Sequence, residues 1–308
     1  MAHYTTADQI DLTAVADRYG LTGASLTPLS GGAANSSFRL ASHQGEYVLT
    51  SLDNHDEGSA ATLARHTRAL HHLGVPTSEV VPTTDGSLIA PISDRLLMVK
   101  KWIGGTVRQP LPLAFLTEAG ELLARLHTLA PEADGLEDVP AGSRRLSSEH
   151  LAAIPGFVDQ EFAQWLTSRL DRVRVAEADS LRAPCLIHGD LFDDNVIVRD
   201  DGGLSVLDWE TISLDDPLLD LGMAAVGLAQ DEAGLLDTDR LHTLLGGYEK
   251  QRPLTAGNRA LLPLEIEHAA LIIAFHRYYR HNVRFPNPER ATYHRAMVRF
   301  TESVTGRV

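Results

Sequence analysis

Cysteine is nearly missing from this chain. The single Cys185 among 308 residues excludes an internal disulfide and fits a reducing compartment. Long apolar runs are missing as well: nothing approaches the roughly 20 residues needed to span a bilayer. The opening MAHYTTADQIDL has neither a basic start nor an apolar stretch, so no signal peptide, no membrane contact and a cytoplasmic location are expected. Positive charge is in short supply. Lys and Arg number 27 against 41 Asp and Glu, a net charge of −14, which repels phosphate backbones and argues against nucleic acid as a partner. Lysine is scarcest, with only Lys100, Lys101 and Lys250. Internal repeats and low-complexity tracts are absent too. What is present is a globular composition, 44% hydrophobic and 22% charged, at a length that suits two lobes.

Periodicity divides the chain near 103–105. Residues 7–19 and 57–73 read as helices, and 25–29, 36–41, 45–52, 87–91 and 96–102 as strands. Gly104-Gly105 then breaks the pattern. Beyond it, Phe115, Leu116, Ala119, Leu122, Leu123 and Leu126 fall on one helical face. Further helices are expected at 158–178, 217–230, 237–250, 259–282 and 288–304, and a Pro/Gly/Ser-rich surface loop at 131–156. The reading is an α+β fold with a small β-rich lobe, 1–103, and a larger, mainly helical lobe, 104–308.

Between the late helices lies a β-rich island: CLIHGD, NVIVRD and LSVLDW. Its loop Leu186-Ile187-His188-Gly189-Asp190-Leu191-Phe192-Asp193-Asp194-Asn195 carries the chemistry. Phosphoryl transfer needs a carboxylate to orient an acceptor hydroxyl and take its proton. It also needs hard oxygen ligands to hold Mg²⁺ against the nucleotide phosphates. The H-x-D-x-x-x-x-N spacing offers Asp190 as base and Asn195 as metal ligand, and Asp208 returns a second carboxylate from the next hairpin. His188 reads as a residue that braces the loop through the backbone. Any one of these residues alone would suit a turn; the joint pattern points to a kinase.

HGDLFDDNV followed by VLDWE resembles the aminoglycoside phosphotransferase and choline kinase superfamily, and within it the bacterial homoserine kinases. The likeness extends to SGGAANSSFRL, EYVLT, GELLARLH and DDPLLDLG, nearly the whole chain. It implies a bilobal, protein-kinase-like fold, ATP or another nucleoside triphosphate, Mg²⁺, and a small-molecule hydroxyl acceptor. It implies Asp190 as base and Asn195 and Asp208 as metal ligands. It also implies a nucleotide loop around Gly31, Gly32 and Asn35, a hinge at Lys101, Trp102 and Ile103 along the adenine edge, and a segment after Glu210 that braces the catalytic loop. A monomer or homodimer is expected.

One departure stands out. The strand lysine that grips the α- and β-phosphates in most kinases should fall near Thr50, and no lysine is there. Threonine at this place suits the homoserine-kinase branch but leaves phosphate anchoring unassigned. For the acceptor, the late helix ends in HRYYRHNVRF. Arg277 and Arg280 would hold a carboxylate such as that of homoserine, or would simply offset the helix dipole. Asp193 and Glu210 would instead favour a polycation. The leading expectation is an ATP-dependent O-phosphotransferase of the homoserine-kinase kind. The alternatives are an antibiotic-modifying kinase, for an aminoglycoside or nucleoside antibiotic, then a nucleotide-binding pseudokinase, with a protein kinase last.

Overall fold

The computed structural model describes residues 5–29, 35–178 and 182–304. In chain order the strands are β1 (Ser25–Pro28), β2 (Ser36–Ser42), β3 (Gly45–Ser51), β4 (Val80–Val81), β5 (Ala90–Ile92), β6 (Arg95–Lys101), β7 (Gly105–Val107), β8 (Cys185–Ile187), β9 (Val196–Arg199), β10 (Leu204–Val206) and β11 (Ser213–Asp215). The helices are α1 (Leu12–Tyr19), α2 (Glu57–His72), α3 (Leu116–Leu126), α4 (Ser148–Ala153), α5 (Gln160–Glu177), α6 (Pro217–Leu228), α7 (Thr238–Glu249), α8 (Ala256–Tyr278) and α9 (His294–Val304). Sheet thus dominates the N-terminal region and helix the C-terminal one. The chain forms two compact units, and they are not two contiguous pieces. The first comprises 1–106, 132–138 and 197–210; the second comprises 107–131, 139–196 and 211–308. The expected single cut near 103–105 marks only the first crossing.

In the first unit, antiparallel strands run in the order β1-β2-β3-β6-β4, with β5 also on β6. Alternation puts Tyr47, Leu49, Leu97 and Val99 on one face, where they join Phe38, Leu40 and the α1 residues Val15 and Tyr19 in a core. The opposite face carries Val48 and Thr50 of β3 against their β6 partners Lys100 and Met98. Helix α2 begins at a reciprocal cap, in which Asp56 accepts from the Ser59 amide at 2.8 Å and the Ser59 hydroxyl accepts from the Asp56 amide at 3.1 Å. The late segment is stitched in by backbone and side chain. The Val206 amide donates to the Pro76 carbonyl at 2.8 Å, and the Trp209 indole donates to the Thr77 hydroxyl at 2.9 Å. Gly105 has φ +150°, and a Cβ there would lie 2.4 Å from the Val198 carbonyl oxygen. The glycine pair expected merely to break the strand is therefore also what lets β7 lie close against β9.

The second unit is helical. Helices α3 and α7 pack together, and α8 takes α6, α9 and α5 around it. Because α8 is enclosed, every residue from Glu265 to Phe275 is buried. Its buried acids are paired rather than orphaned: Glu265 with Arg182 at 2.7 Å and Glu267 with Arg169 at 3.0 Å. Several elements differ from expectation for local reasons. The helix expected over 7–19 is a short turn, Ala7–Gln9, and then α1, which starts afresh at the Asp11 cap. The segment 131–156, expected as a surface loop, contributes 132–138 to the first unit, where Asp138 meets Arg65 at 2.5 Å and His66 at 2.9 Å; it also contains α4. The last helix begins at His294 rather than 288, because Pro288–Arg290 forms a separate turn.

Candidate active site

The loop after β8 is held from below by one carboxylate. Asp220 of α6, wholly buried, accepts the His188 amide at 2.8 Å and the Gly189 amide at 2.7 Å. His127, at the end of α3, reaches the same carboxylate through Nε2 at 3.0 Å and the Tyr248 hydroxyl through Nδ1 at 2.8 Å. With Asp220 ionised as acceptor, a neutral His127 carries its proton on Nε2 and accepts from Tyr248 on Nδ1. Burial pushes the Asp220 pKa up, but the His127 hydrogen bond, the neighbouring histidines and the Gly189 amide hold it below the ordinary value. Gly189 sits at φ +78°, where a side chain would strain the backbone, and its missing Cβ would meet the Thr211 carbonyl at 3.1 Å. His188 accepts the Asp190 amide on Nδ1 at 3.1 Å, the bracing role read from the sequence.

This scaffold places Asp190 and Asn195 together. The Asn195 side-chain nitrogen Nδ2 donates to the Asp190 carbonyl at 2.9 Å. Asp190 is not solitary: Arg144 donates to its Oδ1 at 2.6 Å. Near Arg144 lie His150 and His276, whose rings meet edge to face with centroids 5.3 Å apart. Burial, together with Arg144 and His150, pushes the His276 pKa down to about 4, so this ring is neutral at physiological pH. Asp193 accepts from the Gln109 side chain at 3.0 Å. Of the two expected acceptor-binding arginines, Arg280 is exposed. Arg277 is half-buried, and burial lowers its pKa. Tyr278 is a packing residue, stacked on Phe157 at 4.3 Å and accepting the Asp159 amide at 3.1 Å.

Those of the remaining expected residues that the structure describes belong to the first unit. Gly31 and Gly32 lie outside the described residues. Asn35 donates from its side chain to Glu210, and His55 Nε2 lies 3.5 Å from the same Glu210 oxygen. Asp208 stands at φ +60°, a left-handed conformation that Asp tolerates better than most side chains, and its Oδ1 accepts the Glu210 amide at 3.3 Å. In the segment expected as the hinge, the Lys101 amide donates to the Glu79 carbonyl at 2.8 Å and the Trp102 amide to the Glu46 carbonyl at 3.2 Å. These two amides are therefore already engaged within the protein. The Arg39 guanidinium covers the Trp102 ring at 5.1 Å. A cavity of about 430 Å³ opens beside Trp102 and Ile103, lined also by His71, Thr77, Arg199 and Ser205.

Residues 25–254 match the phosphotransferase enzyme family, APH. The chain belongs to that family. It is 26% identical over 293 residues to a homoserine kinase of Methylocella silvestris, covering 90% of this chain and 87% of that protein. It is 29% identical over 282 residues to the homoserine kinase of Burkholderia multivorans, covering 84% and 82%. Among solved structures it is similar to an amicoumacin kinase in complex with AMP-PNP, Ca²⁺ and its drug, with a TM-score of 0.73 at 14% identity over 97% of this chain and 93% of that one. It is also similar to a microcompartment-associated aminopropanol kinase, with a TM-score of 0.66 at 18% identity over 95% and 94%. These two likenesses bear on the kinase-like fold. The family and the curated relatives make the protein a small-molecule phosphotransferase.

For an APH-family phosphotransferase, the structure adds residues that the sequence reading passed over. Arg144 lies within 131–156, expected as a surface loop, and His150 lies in the short α4 inside it. His276 directly precedes Arg277 in α8. Asp220 carried a signal only through the likeness of DDPLLDLG to a bracing segment. Among the described residues, one group of metal-type side chains gathers elsewhere, Glu177, Glu265 and His268. Arg145 and Arg182 occupy its carboxylates, so it reads as a buried ion network.

Proposed function

We propose that the protein transfers the γ-phosphate of ATP to the hydroxyl of a small acceptor that carries a carboxylate, with homoserine the first candidate. The observation that carries this reading is the Arg144–Asp190 pair, 2.6 Å long and partly withdrawn from water. A guanidinium beside the base binds a carboxylate bidentately. An acceptor carboxylate arriving there would take Arg144 as its partner and release Asp190 to receive the hydroxyl. The curated homoserine kinase relatives, 26–29% identical over most of the chain, support the same acceptor class.

In the transfer, Asp190 accepts the acceptor's proton as the new O–P bond forms, and the bond to the β-phosphate bridging oxygen breaks to release ADP. The brace from Asp220 keeps Asp190 in place, which limits the reorganisation needed when the acceptor binds. Asn195 and Asp208 offer the amide and carboxylate oxygens that suit Mg²⁺, which when bound screens the charge of the phosphates. Asn35 and the Lys101–Ile103 segment would bind the nucleotide.

The test is a coupled ATPase assay over L-homoserine, amino alcohols, choline and aminoglycosides, run on wild type and on Arg144→Ala. Turnover with L-homoserine, and an acceptor KM raised in the variant with ATP KM unchanged, are expected. Turnover only with amino alcohols or cationic drugs, unaffected by Arg144, would overturn the carboxylate acceptor.

A further inference from the structure

Where most kinases carry a lysine on the strand after the nucleotide loop, this chain has Thr50. The register shows what occupies the neighbourhood instead. Thr50 pairs with Met98 and Val48 with Lys100, so Lys100 of β6 sits diagonally beside Thr50 on the same face of the sheet. This is the face turned away from the α1 core. Lys101, the next residue, points the other way, with its ammonium over the Tyr47 ring at 5.0 Å. The two adjacent lysines therefore have separate environments, and only one is on the Thr50 face.

Lys100 is half-buried and makes no hydrogen bond or ion pair with the described residues. A desolvated ammonium without a partner is costly. Burial lowers its pKa, and the carboxylates Asp208 and Glu210 oppose that shift. Two further polar atoms of this unit are in the same condition. The Thr50 hydroxyl, on a residue only 4% exposed, has no hydrogen-bond partner, and neither has the Asn35 side-chain oxygen. A cation and a hydroxyl, both underused, thus share one sheet face, within the electrostatic reach of the carboxylate that would hold the metal.

We propose that Lys100 is the phosphate-gripping cation of this enzyme, moved from the customary strand to its neighbour, with the Thr50 hydroxyl as a second donor to the same phosphate oxygens. The inference rests on the kinase reading above. It assigns the part of the nucleotide that this face meets, the phosphates rather than the base.

Titration calorimetry of adenosine, AMP, ADP and ATP on wild type, Lys100→Met and Lys100→Gln tests it, with thermal unfolding as a fold control. Losing one charge-assisted contact should weaken ADP and ATP on the order of 10- to 100-fold while adenosine changes less than about 2-fold. Both variants should melt no lower than wild type without nucleotide, since each removes a desolvated charge. If ATP binds either folded variant within about 2-fold of wild type, or adenosine and ATP weaken together, Lys100 is not the anchor. A wild type that binds no adenine nucleotide at all would instead remove the kinase reading and this proposal with it.

Discussion

The loop that carries Asp190 and the strand face around Thr50 are built in opposite ways. In the loop, the Asp190, His188 and Gly189 amides and the Asp220 carboxylate have partners supplied by the protein. On the strand face, the Thr50 hydroxyl and the Lys100 ammonium have none among the described residues. A base that must meet a hydroxyl in one geometry gains from a scaffold completed before any ligand arrives. A surface that receives a charged, polar ligand gains from donors left over for it, at some cost to the empty protein. On the reading proposed above, the difference separates a positioning device from a receptor surface.

The contrast can be broken most forcefully at Asp190, the proposed base. Asp190→Asn should lower turnover by about 10²–10⁴-fold while leaving nucleotide affinity and the melting temperature nearly unchanged. Steady-state kinetics and a melt check it, and a variant with more than half of wild-type kcat would place the chemistry elsewhere. Next comes the brace. Asp220→Asn keeps the shape but replaces a shared acceptor with a group that donates on one side, and should cost on the order of 3–5 kcal/mol in urea unfolding. A loss below about 1 kcal/mol would mean that the loop does not depend on this carboxylate.

A smaller effect is expected from the buried ion network. Burial raises the Glu177 pKa, but His268 and Arg145 outweigh it and hold the group down at about 2, against an ordinary 4.5. Its folded pKa is depressed, so its contribution is complete above pH 4.5 and is lost as pH falls towards 2. Glu177→Gln should therefore cost about 1–3 kcal/mol at neutral pH and flatten the acid limb of the stability profile within that window. Acid titrations of both proteins that superimpose would contradict this. The smallest effect belongs to Thr50→Val. Removing an unpartnered buried hydroxyl should leave the empty protein equal or up to about 1 kcal/mol more stable, while ATP binds a few-fold more weakly. A destabilised empty protein would show that the hydroxyl already has a structural task and would erase the contrast.

The parts legible in the sequence are those where a side chain's chemistry and its spacing coincide. His188, Asp190 and Asn195 sit on one loop, so their spacing along the chain already places them near one another, and the Asp190 amide donates to His188 while the Asn195 side chain donates to the Asp190 carbonyl. Long amphipathic segments such as α3 and α7 were visible because several turns repeat one face. What escaped lies where contact depends on remote segments. Val80–Val81 and Ser213–Asp215 are too short for alternation to register. Arg144 meets Asp190 across 46 residues, and nothing local distinguishes it from Arg145, which pairs with Asp215 instead. Lys100 was plain as a letter and as one of three lysines. Its relation to Thr50 required the register between β3 and β6, which no single strand encodes.

The return of residues 197–210 to the first unit has a consequence for how the protein is born. On a ribosome, β1 to β6 emerge early, yet the strands and the indole that complete their unit, Val206 on Pro76 and Trp209 on Thr77, are synthesised about a hundred residues later. At roughly 5–20 residues per second, the nascent sheet waits on the order of 5–20 s with that flank uncovered. The early unit must persist unfinished through the synthesis of α3, α4 and α5. A ribosome-bound chain arrested at residue 196 should accordingly resist protease less than one arrested far enough beyond 210 for residues 197–210 to have left the exit tunnel, even though the second contains no further residue of the six-stranded sheet.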